Sequence, residues 1–331
     1  SGVTEAAKAV NAEFVLALTG TPVENRLADL WSIGDLVQPG RLGSLKEFSR
    51  RWESSEADLE ALGREILEPK PEAPALVLRR LKEDHLEGLP EKREVFEVAE
   101  MPPRQADAYS AIVGDARGED APSMLKTLGD LRRTSLHPGF SVGDAAADIV
   151  AHSSRMQLAV KWLENVQKSG EKALVFVEDI AIQAVMARVA SEILGTRHPP
   201  LIINGSVAAK LRQDRVDEFQ RRTSGFDFMV LSPRAAGVGL TITAANHVIH
   251  LSRWWNPAVE DQCTDRAFRI GQKRDVFVYY PVARHPEIGD RSFDHKLDEL
   301  IRRKRRMSRD LLAAAAMTPE DRDDLYRGTV A

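Results

Sequence analysis

A chain of 331 residues, 43% of them hydrophobic, is long enough for about two domains with substantial cores. Its single cysteine, Cys263, excludes an internal disulfide and a cysteine zinc cluster, and no apolar run is long enough to cross a bilayer or direct secretion, as in a soluble intracellular protein. A formal net charge of −4 requires that any nucleic-acid contact come from a local basic surface set against an acidic remainder.

In chain order, Phe14–Leu18 reads as a short apolar strand that ends in the turn Thr19-Gly20-Thr21-Pro22. Pro22 suits a first helical turn, Thr19 and Thr21 are cap candidates, and Leu27, Leu30, Trp31 and Ile33 make a helical apolar stripe. Polar helices are predicted over Ser44–Trp52 and Ala57–Glu68, with an exit at Pro69, Pro71 and Pro74. Glu94–Val98 alternates as an edge strand returning to the same first lobe. Helices Arg104–Val113 and Pro122–Ser135 flank GDARGED, and HPGFSVGDAAAD reads as an interlobe linker.

From Arg155 onward helices and strands alternate strictly. Helices are predicted over Arg155–Lys168, Ile180–Leu194, Ala208–Arg221 and Ala258–Ile270, and strands over Ala173–Val177, Leu201–Asn204, Phe226–Leu231, His247–Leu251 and Val276–Pro281. This order predicts an α/β fold, a parallel sheet with helices on both faces, and places loops Asn204-Gly205-Ser206, Ser232–Gly239 and Arg253–Pro257 beyond the strands' carboxyl ends, where such sheets bind ligands.

The densest chemistry lies in QCTDRAFRIGQ (Gln262–Gln272), where Gln262, Arg266 and Arg269 follow at i, i+4 and i+7, one face of a helix. Guanidinium groups so spaced can clamp phosphate oxygens, whereas an isolated RxxR is ordinarily a solvated helix face. No Gly-Lys dipeptide occurs, so the chain has no P-loop, and Asp217-Glu218 and Asp298-Glu299 lie in polar helical segments unsuited to a magnesium-binding acid pair.

The ordered blocks LTGTPVEN, KALVFVED, LIINGSVAAKLRQDRVDEFQ, LSPRAAGVGLTITAANHVIHLSRWWNPAVED and QCTDRAFRIGQ resemble motifs III to VI of SWI/SNF-type superfamily two helicase-like ATPases, with WWNPAVEDQ close to bacterial wording. The resemblance covers essentially the whole chain. It implies the end of a first RecA-like lobe with a helical protrusion (1–101, protrusion about 40–74), a second protrusion and linker (102–151), the second RecA-like lobe (152–285) and a basic brace helix with a tail (286–331). The activity implied is ATP-driven translocation on double-stranded DNA in the bacterial cytoplasm, associated with the nucleoid. ATP and Mg²⁺ would be held with the help of an N-terminal lobe that this sequence lacks, so that the chain alone would be inactive.

On that resemblance Arg269 is the finger to the γ-phosphate and Arg266 a second phosphate contact, with Gly237, Gly239, Gln262, Gln272, Gly20 and Thr21 around the nucleotide. Asn204, Gly205, Ser206, Lys210, Ser232, Arg234 and Trp254 face the DNA backbone. A non-catalytic DNA- or partner-binding scaffold and a strand-separating helicase are the alternatives. The family's Ser-Thr-Arg-Ala-Gly-Gly reads here Ser232-Pro233-Arg234-Ala235-Ala236-Gly237, and Ser252 replaces a common carboxylate. His247 and His250 point to opposite faces of a strand and do not form a metal pair, and one ring of Trp254-Trp255 is expected to pack beneath its loop. The basic run Arg302–Arg309 is either a solvated helix face or, as the resemblance implies, a brace packing back on the lobes or a DNA-facing basic strip. Ala283–Ser292 resembles an insertion.

Overall fold

The computed structural model describes residues 2–20, 22–23, 27–53, 56–71, 74–80, 88–118, 122–141, 143–222, 225–236, 239–310 and 319–330. The chain divides into two compact units, one built mainly from the first 87 residues and the other mainly from Gly88–Trp254 and Val259–Leu300.

The elements described within the first 87 residues are helices: α1 (Gly2–Lys8), α2 (Leu27–Val37), α3 (Leu45–Trp52) and α4 (Glu56–Leu67). Its core gathers Val23, Leu27, Leu30, Phe48, Trp52, Leu62 and Ile66. Helix α3 starts at a capping box, in which the Ser44 hydroxyl accepts from the Glu47 N–H at 3.3 Å and the Glu47 carboxylate from the Ser44 N–H at 3.0 Å.

The segment Phe14–Leu18 does not form the expected strand. It carries no strand assignment, and Phe14, Leu16 and Leu18 are 81%, 70% and 88% exposed. An apolar run alone does not make a strand: a backbone partner is needed, and all the paired strands among the described residues lie in the second unit.

That second unit holds a six-stranded parallel sheet in the order β1-β6-β5-β2-β4-β3. The strands are β1 (Lys92–Glu100), β2 (Lys172–Phe176), β3 (Leu201–Ile203), β4 (Asp227–Leu231), β5 (His247–His250) and β6 (Val276–Arg284). Central strands β2, β4 and β5 are buried throughout, as expected for a parallel sheet covered on both faces. Period-two alternation sends Val175, Phe228, Val230 and Ile249 into one core, and Leu174, Phe176, Met229, Leu231 and Val248 into the other.

Helices α5 (Pro103–Ala116), α6 (Met124–Leu136), α7 (Ala146–Ala151), α8 (Ser154–Ser169), α9 (Ile180–Leu194), α10 (Ala209–Arg221) and α11 (Pro233–Ala236) surround or connect these strands; α12 (Pro257–Thr264), α13 (Phe293–Asp310) and α14 (Pro319–Val330) follow. Asp179 caps α9 by accepting from the N–H groups of Ala181 and Ile182, and Gly195 closes it with left-handed φ of 59°.

The strand at Glu94–Val98 requires a correction. It belongs to β1, which pairs in register with β6 from Lys92↔Val276 to Glu100↔Arg284 in the second unit's sheet. Without β1, β6 would expose an unpaired ladder, and the run VFEV fits that edge. The expected linker also contains a helix, α7, whose Ala146 and Ile149 join the core. The expected insertion is tied down: the His285 imidazole lies 2.9 Å from the Ser110 hydroxyl and 3.1 Å from the Ala106 carbonyl, while Tyr109 Oη accepts from the Phe293 N–H at 2.8 Å.

Candidate functional site

The arginine motif is not a continuous helix. Helix α12 ends at Thr264. Beyond it the chain turns, with Arg266 N–H donating to the Cys263 carbonyl at 3.1 Å, Ala267 to Thr264 at 3.0 Å and Gln272 to Arg269 at 3.0 Å. Tertiary bonds impose this path: Ile242 N–H donates to the Arg266 carbonyl at 2.8 Å, and the Thr264 hydroxyl meets His250 Nε2 at 2.9 Å. Gln272 Nε2 donates to the carbonyls of Thr243, Ala245 and Ala267 at 3.2, 2.8 and 3.2 Å. Gln272 is therefore the fastener of the loop, and Gln262, half-buried on α12, does not share a helix face with the arginines.

Arg266 and Arg269 nevertheless converge. Nη1 of each donates to the Leu240 carbonyl, at 3.3 and 3.4 Å. Arg266 is 7% exposed, and its Nε is buried without a hydrogen-bond partner among the described residues. Burial pushes the Arg266 guanidinium down from its ordinary pKa, and the positive charge of Arg269 adds to that effect. Glycines shape both sides of this contact: Gly239 takes φ +55° just before Leu240, and Gly271 takes φ +97° just after the Arg269 turn. Gly237 and Thr21 lie outside the described residues, and Gly20 is exposed.

The sequence places both candidate sites along one strand edge. In the structure the arginines are anchored to residues 240–245, the continuation of the loop after β4 that leads into β5, and the other loops follow the carboxyl ends of β3 and β4.

In those loops the candidates divide by exposure. Asn204 is 7% exposed and fully engaged, donating to Gln183 at 3.0 Å and accepting from the Ser206 N–H and hydroxyl at 3.0 and 2.6 Å. Ser232 is also buried, its N–H bonded to the Ile203 carbonyl at 2.8 Å. Gly205, Ser206, Lys210 and Arg234 are exposed. Asn204 and Ser232 thus hold the loops' shape, and the other four residues form their outer surface. Pro233 stands at the first position of α11, where a missing N–H costs nothing.

Trp254 is a correction. Its ring is 9% exposed, belongs to a core cluster, and has Arg132 and Arg234 approaching at 5.7 and 5.5 Å from its centroid. It is an internal platform, with no open face for a base.

Sequence reasoning missed the buried carboxylate partners of two other arginines. Arg155 pairs with Asp294 in a two-bonded contact that includes Nε to Oδ2 at 2.6 Å, and it also donates to the Leu251 carbonyl at 3.1 Å. Arg253 donates to Glu260 at 2.9 and 3.3 Å and to Asp298 at 2.5 Å, with its guanidinium 4.6 Å from the Tyr280 ring centre. The histidines stay apart: His247 bonds Glu171 and Tyr279, and His250 bonds Thr264. Among the described residues no group of three His, Cys, Asp or Glu side chains is placed to hold a metal ion. No helix there is long and apolar enough to cross a membrane.

Fold and motif define a RecA-like unit of a helicase-type protein. Residues 155–271 match the helicase conserved C-terminal domain, and residues 1–140 match the SNF2-related domain. The chain belongs to the SWI2/SNF2-type helicase family. It is 37% identical to the Zorya protein ZorD of Escherichia coli over 94% of this chain and 30% of that protein. It is 34% identical to the putative ATP-dependent helicase/translocase YwqA of Bacillus subtilis, over 88% of this chain and 32% of that one. The chain therefore spans about a third of these relatives' length. Among solved structures, the Sulfolobus solfataricus SWI2/SNF2 ATPase core in complex with dsDNA is similar over 100% of this chain and 66% of that one, with 29% identity and a TM-score of 0.55.

Proposed function

We propose that this chain is the C-terminal motor portion of an ATP-dependent translocase on double-stranded DNA. Arg269 reaches the γ-phosphate of ATP, and Arg266 makes a second phosphate contact. The chain has no Gly-Lys dipeptide and no metal-holding cluster among its described residues, so the phosphate cradle and the Mg²⁺ acids are assigned to a further segment of the same protein. On this reading the chain by itself does not turn over ATP.

The observation that carries the proposal is the pair of cations converging on Leu240, with no carboxylate ion pair and one buried donor unused among the described residues. Planar donors held in that state are suited to phosphate oxygens and to charge developing during phosphoryl transfer. Gly205, Ser206, Lys210 and Arg234 take DNA phosphates, which position a duplex without reading its sequence. The kinship to ZorD and YwqA, and to a core bound to dsDNA, supports this assignment.

The test is DNA-stimulated ATP turnover of the full-length parent against Arg269→Ala. A working finger contributes about 10³–10⁵ in rate, and equal turnover in the two proteins removes the assignment. Displacement of a third strand from a triplex, without unwinding of a forked duplex, separates translocation from strand separation.

A further inference from the structure

The sheet changes direction around β2. The chain runs from β2 out to β3 and β4 on one side, then crosses to β5 on the other. In sheets of this kind the crevice at the carboxyl ends of such strands is where function concentrates. Here the exits of β2 and β5 are tied together, the Glu178 N–H donating to the Ser252 hydroxyl at 3.4 Å. A residue from outside the sheet then joins them. Arg132, on α6, donates from Nη2 to the Arg253 carbonyl at 2.8 Å and pairs with the Glu178 carboxylate at 2.5 Å. Its side chain is 19% exposed, so solvent screens this pair only partly. The same guanidinium approaches the Trp254 ring, and a second cation at that ring is Arg234, which is itself exposed beyond β4.

We infer that Arg132 is a positioning residue for the DNA-facing edge: it holds Trp254 as the platform on which Arg234 is presented to a duplex phosphate. The inference rests on the proposed DNA reading of that edge and adds a residue that touches no DNA. Arginine suits the task because one planar fork serves a carbonyl and a carboxylate while its face meets an aromatic ring.

The test measures duplex affinity of the full 331-residue chain, using a DNA duplex between roughly 50 and 200 mM salt. Arg234→Ala removes one phosphate contact and lowers the slope of log affinity against log salt by about 0.9. Arg132→Gln is expected to weaken binding roughly two- to fivefold and to lower that slope toward the Arg234→Ala value. The double variant is then no weaker than Arg234→Ala alone.

Glu178→Gln guards against misfolding of the arginine variant. Charge alone predicts tighter DNA binding when this acid is removed, whereas positioning predicts weaker binding. An unchanged slope in Arg132→Gln, additive losses in the double variant, or tighter binding by Glu178→Gln overturns the inference. If Arg234→Ala itself leaves binding and slope unchanged, it is the DNA reading of this edge that fails.

Discussion

Two pairs of arginines in the second unit teach opposite lessons. Arg155 and Arg253 are each 1% exposed and spend their donors on carboxylates: Asp294 for the first, Glu260 and Asp298 for the second. Among the described residues Arg266 and Arg269 form no ion pair with a carboxylate, and they share one carbonyl. The same side chain is thus a structural cross-link in one place and an unspent donor in the other. Burial does not separate the two roles, since Arg266 is also buried; a bonded carboxylate, present at Arg155 and Arg253, does.

The largest effect expected from this contrast is on stability. Arg155→Ala leaves the buried Asp294 with only the Ala283 N–H of these two partners, and breaking such a pair costs about 3–5 kcal/mol. Urea unfolding monitored in the second unit should show that loss. A loss under about 1 kcal/mol would mean that this pair is not a cross-link, and the comparison would fail on its structural side.

A smaller effect is expected from the buried histidines. His137 accepts from the Gly139 N–H at Nδ1 and donates from Nε2 to the Ile149 carbonyl, so its neutral form is fully bonded. Burial pushes its pKa below the ordinary value, and His247 is shifted the same way by burial. The folded-state pKa is depressed, so the unfolded chain takes up a proton first as pH falls below about 6.5. Stability is full above that pH and declines below it, by at most about 1.4 kcal/mol per pH unit for each histidine, until the folded-state pKa is reached. Arg104 and His152 oppose protonation of His137 and Asp144 favours it. Glu171 acts in a second, more acidic window: burial alone would raise its pKa, but the bonds from His247 and Asn246 outweigh this and depress it. Its contribution is present above the ordinary glutamate range and is lost as pH falls through the depressed value. Melting temperatures of the native chain and His137→Gln between pH 7.5 and 5.5, roughly the histidine window, check the first part; identical slopes would exclude His137.

What the sequence disclosed follows from where the determining contacts lie. Helix α9 was readable over Ile180–Leu194 because Asp179 and Gly195, its own neighbours, end it. Strands β2, β4 and β5 were readable because burial on both faces writes them as apolar runs. Motif wording located the arginine loop, yet α12 stops at Thr264 because Ile242, His250 and Gln272 bond the following turn, and none of these is a local signal. Strand β1 was legible as a strand but not its partner, which lies some 184 residues away. Arg132 gave no signal at all. A single arginine on a polar helix shows its role only when Glu178 and the Arg253 carbonyl are brought to it.

The smallest stability change is the most informative. Arg266→Met replaces a buried guanidinium that has no ion pair, and one nitrogen without a bond, among the described residues, so folding loses little with it. The Leu240 carbonyl keeps a donor, because Arg269 Nη1 remains 3.4 Å away. Chemical denaturation should place the variant within about 1 kcal/mol of the native chain, on either side. A phosphate contact predicts that the same substitution, made in the full-length parent, sharply lowers ATP turnover while the fold is unchanged. Were the chain instead to lose as much stability as Arg155→Ala, Arg266 would be a cross-link like the others, and Arg269 alone would remain to meet the nucleotide.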